Sequence, residues 1–96
     1  MMPSGASARD RTVLFLTTPA LWPTWPFLPM IRQTSDGLDL GVVFDAWHAC
    51  GLPGYSATVF RTNLLTLPST FEQFLALPKE VFDSAEEVAD AGWLVD

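Results

Sequence analysis

The sequence has little charge, few basic residues, one cysteine and one histidine, and each shortage excludes something. Asp, Glu, Lys and Arg make up 17% of its 96 residues, where soluble domains carry about 25%. That composition excludes a disordered polar chain, which would be charge-rich and apolar-poor. The five basic residues are scattered, so no basic patch exists to neutralise nucleic-acid phosphates. With Cys50 as the sole cysteine, neither an internal disulfide nor a Cys-x-x-Cys zinc framework can form. Such a chain is expected in a reducing compartment, the cytoplasm. No apolar run approaches the roughly 18 residues of a membrane span. Arg9 and Arg11 ahead of Val13–Leu16 imitate a secretory leader, but Asp10 lies among them and the run stops at Thr17-Thr18-Pro19. The glycines at 37, 41, 51 and 54 fit neither a dinucleotide loop nor a phosphate loop.

What the sequence holds instead is apolar mass: 49% of residues, with four tryptophans, seven phenylalanines and eight prolines. The length suits one domain, expected over 11–96 behind a flexible tail at 1–10, where Pro3, Ser4, Gly5 and Ser7 are small or polar. The charge is divided. In residues 1–69 four arginines cancel four aspartates, and residues 70–96 set seven acids against Lys79, which carries the whole net charge of −6. So few charges on so apolar a chain point to a surface that a protein partner or a second copy covers.

Along the chain, Thr12–Thr17 reads as a buried strand. Residues 18–32, TPALWPTWPFLPMIR, carry prolines at 19, 23, 26 and 29. Each fixes φ and lacks an amide donor, so a long loop is expected rather than a helix or a central strand. After a turn at 34–37, Leu40, Val43, Phe44, Trp47 and Cys50 keep helical spacing, with Asp39 as N-cap, Gly51 past the end and Pro53 as a stop. The strand alternative puts Val43, Asp45 and Trp47 on one mixed face. Ser56–Leu67 reads as a strand. Ser69 or Thr70 opens a short helix bearing Phe71, Phe74 and Leu75. Val81-Phe82 is a short extended piece. Ser84 and Glu87 open a capped helix over 85–91 with Gly92 after it, and Trp93-Leu94-Val95 is a terminal strand. The expected fold is α/β or α+β: a small two-layer domain of two or three short strands, about three short helices and a long Pro/Trp-rich loop. Direct pairing of the first two strands would make a right-handed parallel crossover.

Asp45, His48 and Cys50 hold the residue types of a nucleophile, its base and an orienting acid. On a helix, however, His48 and Cys50 lie about 200° apart, with Cys50 facing the core beside Trp47 and Asp45 and His48 outside. No catalytic residue is assigned. His48 and Cys50 leave only carboxylates to complete a metal shell, and Ser84, Glu86, Glu87 and Asp90 lack calcium-loop spacing, so no metal or cofactor is expected. The expected function is a non-catalytic protein-binding module or accessory subunit, binding a protein partner or itself through Trp22, Trp25, Phe27, Leu28, Met30 and Arg32. The alternative is a small-molecule-binding protein or minor enzyme with an aromatic pocket of Trp22, Trp25 and Trp47, where His48 or Arg32 supplies the polar contact.

Overall fold

The computed structural model describes residues 7–96. Most of the expected N-terminal tail lies outside them. Among the described residues there are four α-helices and five strands, in a small α+β domain. The helices are α1 (Ala8–Leu16), α2 (Ala46–Cys50), α3 (Phe71–Leu75) and α4 (Ala85–Asp90). The strands are β1 (Phe27–Thr34), β2 (Gly37–Phe44), β3 (Thr58–Phe60), β4 (Lys79–Val81) and β5 (Leu94–Val95). They form one sheet in the order β4-β3-β2-β1-β5. Every pairing is antiparallel, so two or three strands is an undercount and the parallel crossover is absent from this sheet.

The run at 12–17 is helical, not extended. Ser7 caps α1 by accepting the amide of Asp10 at 3.0 Å, and Thr12 and Leu16, four residues apart, share its buried face. A short all-apolar run has no period of its own. Here tertiary contacts decide: the Thr12 hydroxyl accepts the Val95 amide at 3.1 Å, tying α1 to β5, and Arg9 bonds Asp90 of α4 at 2.7 Å.

The Pro/Trp-rich segment is loop only in part. Pro19–Leu21 is a 3-10 turn, the Trp25–Pro26 bond is cis, and residues 27–34 form β1 despite Pro29. Pro29 is tolerated because its carbonyl accepts the Asp96 amide at 3.0 Å. Its backbone therefore faces the short β5 side, and the ladder to β2 needs no donor from it.

Residues 37–50 are a strand followed by a short helix, not one helix. Val42, Val43 and Phe44 are all buried, because this end of the sheet is covered on both faces, which erases the alternation that marks a strand. Asp39 lies opposite Arg32 in the ladder; the N-cap is Asp45, and Gly51 ends α2 with φ +69°. The strand read at 56–67 is confined to β3, since Asn63 turns the chain by accepting the Leu65 amide at 2.9 Å. Of the two caps offered at 69 and 70 it is Thr70 that serves, accepting the Gln73 amide at 3.1 Å, and Ser84 accepts that of Glu87 at 3.2 Å as read.

Two apolar clusters hold the sheet. On one face Leu28, Met30, Val43, Val59 and Trp93 pack under Leu16 of α1 and Val88 of α4. On the other, Phe44 and Phe60 pack against Phe74 of α3 and Ala46 of α2. Gly41 is the close approach: a Cβ there would meet Val59 Cγ1 at 2.5 Å and the Trp93 ring at 3.0 Å.

Candidate functional site

Asp45 follows the last residue of β2, and its position there is set by a 2.8 Å bond from its amide to the Pro26 carbonyl. Its side chain is only 7% exposed. A buried carboxylate needs donors, and three groups supply them. The Trp25 indole Nε1 donates to Oδ2 at 2.8 Å, the His48 amide approaches Oδ1 at 3.4 Å as the helix cap, and His48 Nδ1 lies 3.0 Å from both oxygens. Burial by itself pushes the Asp45 carboxyl up, but the hydrogen bonds from Trp25 and His48 outweigh it and hold the group below the usual carboxylate range. An ionised Asp45 can only accept, so His48 Nδ1 is the donor. In the neutral ring Nε2 is then the bare acceptor. The His48 side chain is 62% exposed.

This pair stands where two clefts meet. The larger, about 500 Å³, runs between the Leu16–Trp22 stretch and the Asp45–Ala57 stretch and is walled by Trp22, Phe44, Trp47, Leu52, Pro53 and Tyr55. The smaller, about 490 Å³, is bounded by Thr18, Pro19, Ala20 and Trp25. Asp45 and His48 line both, and among the described residues no lysine, arginine or second acid lines either.

The residues singled out in the sequence are dispersed by the fold. Trp22 is buried, with Nε1 donating to the Phe15 carbonyl at 2.7 Å. Leu28 and Met30 are in the core. Phe27 is half-buried and stacks on Phe44 with centroids 5.2 Å apart. Arg32 lines neither cleft: its guanidinium bonds Asp39 at 2.9 Å and Glu80 at 2.7 Å and lies 4.3 Å over the Trp93 ring. Trp25 stays 48% exposed and Trp47 62% exposed. Of the aromatic pocket read in the sequence, Trp22, Trp47 and His48 share the larger cleft, Trp25 and His48 the smaller.

Cys50 does not face the core, and neither does Trp47. The stripe from Leu40 to Cys50 is split between β2 and α2, and of α2 only Ala46 is buried. Cys50 Sγ donates to the Ala46 carbonyl at 3.3 Å, and no hydrogen bond joins it to His48. Among the described residues the imidazole is hydrogen-bonded to no hydroxyl or thiol, and the geometry is that of a polar contact fixed in a largely apolar cleft. Sequence reasoning missed Leu52, Tyr55 and the Trp25–Asp45 bond. The sole hint was Pro53-Gly54, which folds the 52–57 stretch back as a wall. Among the described residues no three His, Cys, Asp or Glu side chains cluster to hold a metal ion, and no helix is long and apolar enough to cross a membrane. No protein-family model, no curated protein and no solved structure matches the chain.

Proposed function

We propose that the chain is a small-molecule-binding domain whose ligand lies in the larger cleft with its polar end at His48. The observation that carries this reading is the convergence of an oriented imidazole on a largely apolar, aromatic-walled cavity of about 500 Å³. That volume is within the roughly 300–1,000 Å³ of small-ligand sites, which are apolar with a few placed polar groups. The same evidence weighs against an extended protein-docking surface on the Pro/Trp-rich segment, since Trp22, Leu28 and Met30 serve the chain's own core.

Calorimetric titration with benzyl alcohol, a compact neutral probe, tests the reading. Binding at millimolar concentration that Trp47→Ala weakens about tenfold or more supports it. Trp47 is exposed, so its loss leaves the fold intact. Binding that ignores Trp47→Ala defeats it, and so does the failure of this probe together with its amine and acid counterparts, benzylammonium and benzoate.

A further inference from the structure

The charge around the clefts goes further than their shape. Among the described residues Asp45 is the one acid lining either cleft, and no lysine or arginine lines them. Its three donors, two side-chain N–H groups and one amide, are dipoles rather than full charges while His48 is neutral. With the ring neutral, the buried carboxylate thus keeps an uncompensated negative charge beside the cleft, and the Nδ1 hydrogen bond leaves Nε2 as the ring's acceptor. The walls add to this. Trp47, Trp22 and Tyr55 present aromatic π systems, whose faces attract cations. The chain as a whole carries −6.

We propose that the ligand of this cleft is an organic cation, a primary or secondary amine in its ammonium form on a compact apolar body. The ammonium donates to His48 Nε2, with the charge of Asp45 behind the ring, and the body lies between Trp47 and the Leu52–Tyr55 wall. An anion is disfavoured twice, by the carboxylate and by the absence of any lysine or arginine lining the cleft. This inference rests on the cleft being a ligand site, and the experiment separates the two.

Three probes of nearly equal shape are titrated calorimetrically at pH 8: benzylammonium, benzyl alcohol and benzoate. The expected order is benzylammonium about tenfold tighter than benzyl alcohol, with benzoate weakest. Raising the salt should narrow the gap. Asp45→Asn, which keeps one acceptor oxygen and removes the charge, should bring benzylammonium down to the alcohol's affinity measured on the same variant. Should that variant prove unstable, the order of the three probes on the unaltered chain decides. Benzoate binding as well as benzylammonium, or the alcohol matching the amine, overturns the cation while leaving the cleft standing. Failure of all three probes overturns both readings. An amine preference that survives in folded Asp45→Asn overturns the part given to Asp45.

Discussion

Trp25 and Asp45, 20 residues apart in the chain, are joined by a 2.8 Å hydrogen bond from indole Nε1 to carboxylate Oδ2. The bond fastens the loop before β1 to the junction of β2 and α2. It thereby sets the wall that the two clefts share. Asp45→Ala removes a helix cap and leaves the indole N–H without its acceptor, so a loss of about 1–3 kcal/mol is expected in urea melts. Asp45→Asn, which retains an acceptor, should lose less.

The same carboxylate makes stability depend on pH in a stated direction. Its pKa in the folded chain is depressed, because the hydrogen bonds from Trp25 and His48 outweigh the opposing effect of burial. Such a group contributes its full stability above the ordinary carboxylate pKa. The contribution is lost as pH falls through that range toward the lower folded value. Melting temperatures of wild type and Asp45→Asn should therefore differ most near neutral pH and converge in acid. Curves that stay parallel down to pH 3 would show that the bonds to Asp45 do not favour its ionised form.

Gly41→Ala should be among the most damaging small substitutions. The added methyl would lie 2.5 Å from Val59 Cγ1 and 3.0 Å from the Trp93 ring. Overpacking of this kind costs about 1–3 kcal/mol. Pairing it with Val59→Ala removes the nearest clash, so the double variant should be less unstable than the sum of the two singles. Denaturant melts of all four proteins complete that cycle.

Gly41 also shows why this fold was hard to read from its residues. Within β2, glycine and two adjacent valines are poor helix formers, yet the helical spacing of Leu40, Val43, Phe44 and Trp47 and the mixed face of Val43, Asp45 and Trp47 argue against a strand; the glycine itself is required by Val59 and by Trp93, which is 52 positions later in the sequence and arrives only with the tertiary fold. The residues at 42–44 are buried on both faces, so no alternation marks them. Pro29 was weighed as a strand breaker, and only the position of Asp96 beside it makes it harmless. Local signals fared better where the chemistry was local. Ser84, Thr70 and Gly51 each act within four residues of themselves, and their caps were visible in the sequence. For the candidate site, His48 and the tryptophans stood out by type. Their grouping did not, because it depends on the Trp25–Asp45 bond and on the 52–57 wall.

Arg32 was read as a contact for a partner, and it is held within the chain. Its side chain is 19% exposed, bonded to Asp39 and Glu80 and stacked on Trp93. The Arg32 guanidinium holds the Glu80 carboxyl below the usual range, against the opposing effect of burial, with help from the Trp93 indole. A planar fork serves two carboxylates and a ring at once, which an ammonium cannot. Arg32→Lys should therefore cost about 1–2 kcal/mol despite conserving charge, with part of the loss vanishing in acid as Glu80 is protonated.

The four tryptophans divide into two kinds, which gives a direct optical check on the cleft. Trp22 and Trp93 are buried, and Trp25 and Trp47 are roughly half exposed or more. Iodide should quench only part of the native emission, and the quenchable part should come from Trp25 and Trp47. Trp47→Phe should lower the accessible fraction without changing the unfolding free energy beyond the roughly 0.5 kcal/mol ordinary for surface positions. Trp22→Phe should leave the accessible fraction nearly unchanged but cost stability, since it removes both buried ring area and the 2.7 Å bond to the Phe15 carbonyl. If benzylammonium occupies the larger cleft, it covers Trp47, and iodide quenching of the wild type should fall as the probe is added. In Trp47→Phe the same addition should have little effect, because the remaining exposed indole, Trp25, borders the smaller cleft. A quenching loss that persists in Trp47→Phe would move the ligand to the Trp25 side of the Asp45–His48 pair.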